Sequence, residues 1–131
     1  MLIIKPIQDK EIQQEMCNAC GFNFDPTLFA YSEKENENLI AGCQFDILGR
    51  DAEIKDFGMC VGVEEDVEAL IILGRAVLNF LDLSGVKRCS FNTQADTNEK
   101  YAKMIGFKKE NDNMVISLEG LFDSKCANCK E

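Results

Sequence analysis

Asp66-Val67-Glu68-Ala69-Leu70-Ile71-Ile72-Leu73-Gly74-Arg75-Ala76-Val77-Leu78-Asn79-Phe80-Leu81-Asp82-Leu83, followed by Ser84-Gly85-Val86-Lys87-Arg88-Cys89, is the stretch on which the fold turns. Its polar residues Glu68, Arg75, Asn79 and Asp82 fall on one narrow helical stripe, and nearly everything else is apolar. A helix with that pattern is buried around most of its circumference and lies across a sheet. Gly85 is positioned to cap it, and Val86 to Thr93 reads as the next strand.

Toward the C-terminus, Thr97 to Ile105 fits a short helix closed by a left-handed Gly106. Phe107 to Glu110 and Met114 to Leu118 then form a hairpin across Asn111-Asp112-Asn113. Toward the N-terminus, Leu39 to Leu48 and Glu53 to Val63 read as strands joined at Gly49-Arg50-Asp51. Leu28 to Ser32 precedes them, with Glu33 to Asn38 as a polar hairpin tip, so three consecutive strands make an antiparallel meander. Leu2 to Pro6 supplies a first strand, and Asp9 to Ala19 a short helix with Ile12, Met16 and Ala19 on its apolar face. The expected domain is a single unit over residues 1–120, with 121–131 as a cysteine-containing tail.

Composition narrows the function. The chain has 131 residues and a formal net charge of −9, from 14 basic and 23 acidic residues. Nucleic acid is a poor partner for such a surface, because phosphate binding needs clustered Lys and Arg. The longest uninterrupted apolar run, Ala69 to Leu73, is far too short for a bilayer, and the first residues lack the pattern of a secretory signal. A cytoplasmic protein with reduced thiols is expected, because the 7 cysteines are odd in number and accompany no export signal. With 0 histidines, Ser-His and Cys-His nucleophile pairs and His-ligated metals are excluded.

The meander, the strand–helix–strand unit, the segment Gly85-Val86-Lys87-Arg88-Cys89, and Asn98-Glu99-Lys100-Tyr101 with Met104-Ile105-Gly106-Phe107 together resemble the GNAT acyl-CoA N-acyltransferases. The resemblance implies an α/β (α+β) fold, a mixed and mostly antiparallel sheet of about six to seven strands with the long helix packed across it. It implies a small N-acetyltransferase that moves an acetyl group from acetyl-CoA to a small-molecule or peptide amine. In that family the fourth and fifth strands splay apart, and fourth-strand amides hold the pantetheine arm. Carried over, this points to Met59, Cys60 and Val61, with Asn98 at the start of the following helix.

Two departures stand beside the resemblance. Where the family offers a glycine-rich basic loop to the pyrophosphate, this chain has Glu64-Glu65-Asp66-Val67-Glu68. Without gaps, Glu65, Glu68 and Leu70 occupy the positions of the family's arginine and two glycines. Acids in a first helical turn also offset the helix dipole, so the segment reads as a well-made N-terminus ahead of any functional role. The family's thiolate-protonating tyrosine, four residues before the glycine of Gly-Phe, is here Ala102; Tyr101 stands one residue earlier, turned by about 100°. Among carboxylates, Glu53 and Asp56 are the candidate general bases, expected on opposite faces of their strand by simple alternation.

These departures keep a second function open: a non-catalytic GNAT-shaped binding or regulatory module. A third comes from Cys17-Asn18-Ala19-Cys20 and Cys126-Ala127-Asn128-Cys129, two CxxC units suited to tetrahedral zinc or to thiol redox chemistry. With the first and last strands at opposite sides of the sheet, the two units start about 20–24 Å apart. The tail reaches about 20 Å at most, so closure is expected within one chain only at full extension, or between the chains of a homodimer. Cys43, Cys60 and Cys89 are expected to be small buried residues.

Overall fold

The computed structural model describes residues 1–91, 96–111 and 113–120, and the side chains of residues 96–98 lie outside that description. The element order is β1 (Leu2–Ile7), α1 (Lys10–Cys20), β2 (Phe29–Glu35), β3 (Asn38–Leu48), β4 (Asp51–Met59), α2 (Val67–Leu83), β5 (Arg88–Phe91), α3 (Asp96–Ile105), β6 (Lys108–Glu110) and β7 (Asn113–Ser117). All seven strands join one sheet in the order β1-β2-β3-β4-β5-β7-β6. Every neighbouring pair is antiparallel except β4 and β5, which are parallel. The expected mixed, mostly antiparallel sheet crossed by a long helix is what the chain forms. As expected, β1 lies at one edge and β7 next to the other.

The α2 helix starts where Asp66 accepts the backbone N–H of Ala69 at 3.1 Å, satisfying a donor that the helix itself cannot reach. Its end is closed by Ser84, with Gly85 at φ 93° just beyond, where a side chain would be strained. Leu70, Leu73, Val77, Leu78 and Leu81 are buried against the sheet with Phe45, Ile54, Phe57 and Phe91. Helix α3 crosses α2 at Gly74, where any Cβ would collide with Ile105, so the two helices approach through a missing side chain.

The other face of the sheet carries α1, and here the stripe differs from the expected one. Gln13, Met16, Cys17 and Cys20 are buried, while Ile12 is 52% exposed. Met16 fills the space above Gly42 on β3, where a Cβ would clash with it. That close approach fixes the helix rotation, and Gln13 turns inward because it finds partners there. The β2–β3 hairpin also differs. The polar tip shrinks to Asn36 and Glu37, both at positive φ (51° and 72°), as a tight two-residue turn requires. Glu33, read as part of the tip, lies in β2 and is buried. No helix among the described residues is long and apolar enough to cross a membrane.

Two features of β4 position the candidate site. Its pairing with β5 covers Asp51↔Arg88 to Ile54↔Phe91; among the described residues, Lys55–Met59 pair with β3 alone. Its pairing with β3 slips between Gln44 and Phe45, with Lys55 as the extra residue of a β-bulge.

Candidate functional site

The bulge resets the alternation of β4. Asp56 lies opposite Gln44 and Glu53 opposite Asp46, and Gln44 and Asp46 are two residues apart on one strand. Residues directly opposite share a face, so Glu53 and Asp56 share one as well, the face that carries α1. The opposite-face expectation for this pair is corrected, because strict alternation does not hold across an inserted residue. The two carboxylates are nonetheless different. Glu53 is ion-paired with Lys55 at 2.9 Å at the surface. Asp56 accepts a hydrogen bond from Gln44 Nε2 at 2.8 Å, and partial burial raises its carboxyl above the usual range against that bond.

Gln44 connects Asp56 to the interior. Its Nε2 also donates to the Asn23 carbonyl (2.9 Å), and its Oε1 accepts from Gln13 Nε2 (2.8 Å). Lys10 donates to Gln13 Oε1 at 3.0 Å, completing a chain from a surface ammonium to a half-buried carboxylate. Gln13 and Gln44 are both fully buried, and each is satisfied. Sequence reading missed this network; the only signal was the row of polar residues at Gln13, Gln44 and Asp56 among apolar neighbours.

The backbone of β4 beyond Ile54 follows a two-residue rhythm. Cys60 N–H bonds the Ile40 carbonyl at 2.7 Å, which fixes Cys60 as a bonded partner of β3. One and three residues earlier, the N–H groups of Met59 and Phe57 therefore point away from β3, toward the side of β4 that faces β5. Of the three amides expected to hold an acyl-carrier arm, only that of Met59 has this orientation. The Cys60 amide is engaged by Ile40, and the Val61 amide donates to Ala19 of α1 at 2.8 Å. Phe57, which was not singled out from sequence, has the geometry that those two lack.

At the C-terminal end of β4 a cleft of about 460 Å³ opens between the strand and α2, lined by Glu35, Ile40, Met59, Glu64, Glu65 and Asp66. Tyr101 of α3 reaches one of these lining residues, Glu65. The Tyr101 hydroxyl donates to Glu65 Oε2 at 2.6 Å, and its ring lies 6.5 Å from that of Phe57. Burial first, then Glu65, pushes the phenol up to about 12, so it keeps its proton at neutral pH. Lys100 reaches the same carboxylate at 3.8 Å. Ala102, where the family tyrosine was sought, is fully buried and cannot reach a cleft. Beneath the cleft, Glu33 of β2 is fully buried and neither carboxylate oxygen has a partner. Desolvation, then the charges of Asp66 and Glu35, raises Glu33 to about 7.

Among solved structures, a spermidine/spermine N-acetyltransferase, SpeG, from Vibrio cholerae aligns over 95% of this chain and 99% of its own, with a TM-score of 0.71 and 10% identity. The ribosomal-protein-S18-alanine N-acetyltransferase from Escherichia coli aligns over 90% and 94%, at TM-score 0.68 and 10% identity. The fold is that of the GNAT acyltransferases. A further GNAT-shaped neighbour, the PaiA N-acetyltransferase from Thermoplasma acidophilum in complex with coenzyme A, aligns over 89% and 98%, with TM-score 0.64 and 11% identity. No family model matches the chain, and no curated protein does either.

Against that GNAT frame, the site residues expected from sequence divide. Asp56 and Met59 lie on β4 beyond its described pairing with β5, and Tyr101 holds the cleft-lining Glu65; Glu53 lies on the paired half, tied to Lys55. The Asn98 side chain, Cys126 and Cys129 lie outside the described residues. Cys17 and Cys20 point into the core under α1, and among the described residues no group of three or more metal-binding side chains occurs. The zinc reading of the paired CxxC units gains no support there.

Proposed function

We propose that this chain is an acyl-CoA-dependent N-acyltransferase that transfers an acetyl group to an amine. The observation that supports the reading is the stretch of β4 beyond its described pairing with β5 over Asp51–Ile54, where the Phe57 and Met59 N–H groups turn away from β3. Acetyl-CoA supplies a thioester carbonyl. In this reading the pantetheine arm lies along β4 beyond Ile54, where Phe57 and Met59 turn their N–H groups away from β3. The phosphate end fits less well: Glu64, Glu65 and Asp66 stand at the α2 N-terminus, and Asp66 already occupies the Ala69 donor.

Asp56 is the base that accepts the proton of the attacking ammonium, directly or through one water, and Gln44 holds its carboxylate in place. Partial burial moves Asp56 toward the pH at which such a base works best. Tyr101 is the proton source for the departing thiolate, since it is protonated at neutral pH and bonds the cleft-lining Glu65. Acidic residues around the cleft favour a cationic amine as acceptor.

A second reading, a GNAT-shaped binding module without turnover, is supported by Glu65. That carboxylate is held by Tyr101 and Lys100 beside the helix end where a pyrophosphate would sit. Calorimetry with acetyl-CoA and with CoA separates the two. Saturable binding of both in the micromolar to low-millimolar range is expected, and no heat at millimolar ligand eliminates the transferase.

A further inference from the structure

The five described cysteines are all buried, but not equally. Cys17, Cys43 and Cys89 have 0% of their surface exposed, whereas Cys20 keeps 8% and Cys60 keeps 6%. The two that retain access face each other: Cys20 Sγ, at the last residue of α1, lies 3.3 Å from Cys60 Sγ, one residue beyond β4. The backbone around them is already fixed. Val61 N–H bonds the Ala19 carbonyl at 2.8 Å, Cys60 N–H bonds Ile40 at 2.7 Å, and Gly21 N–H caps α1 on Cys17. The CxxC spacing directed attention to Cys17 as the partner of Cys20, yet the sulfur that meets Cys20 comes from 40 residues away.

We propose that Cys20 and Cys60 are a peroxide-responsive dithiol, an oxidation site that closes to a disulfide and fastens the end of α1 to the exit of β4. The chemistry balances with one hydrogen peroxide. Cys60 sulfur, as thiolate, attacks the O–O bond; one oxygen stays as a sulfenic acid, and the other leaves and takes up a proton as water. Cys20 sulfur then attacks the Cys60 sulfur, its proton passing to the departing oxygen, and a second water leaves. Two electrons pass from the sulfurs to the peroxide, and two S–H bonds become one S–S bond. Either sulfur can donate in the contact; burial raises both thiols, and Cys20, raised further by Cys60 and Cys17 beside it, is the one that attacks second. The inference does not depend on acyl transfer.

The test uses the full chain carrying Cys126→Ser and Cys129→Ser, which silences the tail thiols. The folded protein is treated with one equivalent of hydrogen peroxide, alkylated and mapped by peptide mass spectrometry. The expected result is a loss of two hydrogens, a linked Cys20–Cys60 peptide pair, and a melting temperature raised by about 5 °C or more that thiol reductant reverses. Cys17→Ser leaves the linkage intact and Cys60→Ser removes it. A Cys17–Cys20 link, sulfinic acid at single cysteines, or thiols that react only after denaturation overturns the proposal, and the map of the protein with all five thiols gives that answer even where a variant folds poorly.

Discussion

The two ends of β4 sit in rows of very different character. At the zipped end the row Ile47–Ala52–Cys89–Ile116 runs across four strands, and its members pack on or in the apolar core under α2. At the other end the row Ile4–Glu33–Ala41–Met59 stops at β4 among the described residues and contains a buried carboxylate without a hydrogen-bond partner. The first row contributes burial and little else. The second combines an unsatisfied charge site, amides aimed off the edge of a strand, and an acid-lined cleft. Buried polar groups that find partners, such as Gln13 and Gln44, add order to the fold; one that finds none marks a place where the fold has accepted a cost. That both the cost and the amides turned away from β3 lie at the same end of β4 is the reason for placing function there.

The largest effect expected from breaking this contrast comes at Asp56. Asp56→Asn keeps an oxygen for Gln44 Nε2 but cannot take a proton, so kcat for acetyl transfer falls by about 10² to 10³ while acetyl-CoA affinity is unchanged. Glu53→Gln, on the zipped half, leaves kcat within about twofold, since an exposed ion pair contributes little. Equal losses at both positions in steady-state kinetics would erase the distinction between the two halves.

Next comes Glu33. Its folded-state pKa of about 7 lies above the unfolded value near 4.5, so the native state holds a proton that the unfolded chain has released. Stability is therefore greatest below about pH 4.5 with respect to this group, declines as pH rises to about 7, and levels off above it. The total is up to about 3 kcal/mol. Denaturant melts across that range should show the decline in the parent protein and a flatter profile in Glu33→Gln; parallel profiles would mean that the carboxylate is solvated or paired.

How far the sequence carried follows from where each signal is local. The α2 stripe, the turn at Gly85 and the Ile105-Gly106-Phe107 closure are set by residues within a few positions of one another, and the structure places them as read. The bulge at Lys55 was not legible, because it depends on how β3 and β4 slide against each other and no glycine or proline announces it. Ile12 for Gln13 is the same kind of error: helical periodicity gives a stripe, but Met16 over Gly42 and the partners of Gln13 choose its rotation. Glu33 shares the parity of Tyr31 in β2, yet a run of charged residues beside it reads as a loop. At the candidate site, orientations were not legible; Cys60 and Val61 follow Met59 at the end of β4, with their amides already engaged.

The smallest expected effect lies in the acidic segment. Glu65→Gln removes a charge from the α2 entrance but keeps an acceptor for Tyr101, so acetyl-CoA binds about threefold tighter. The Tyr101 phenol, freed of that charge, titrates lower than about 12 in an ultraviolet pH titration. Weaker binding would show that Glu65 supports the ligand through Tyr101 and not against it.

The most direct test of the account is a backbone amide NMR titration with acetyl-CoA, read along β4. The account predicts saturable shifts at Phe57 and Met59, with Ala52 and Ile54 nearly unmoved. Shifts confined to Ala52 and Ile54, or an unchanged spectrum at millimolar acetyl-CoA, would contradict it.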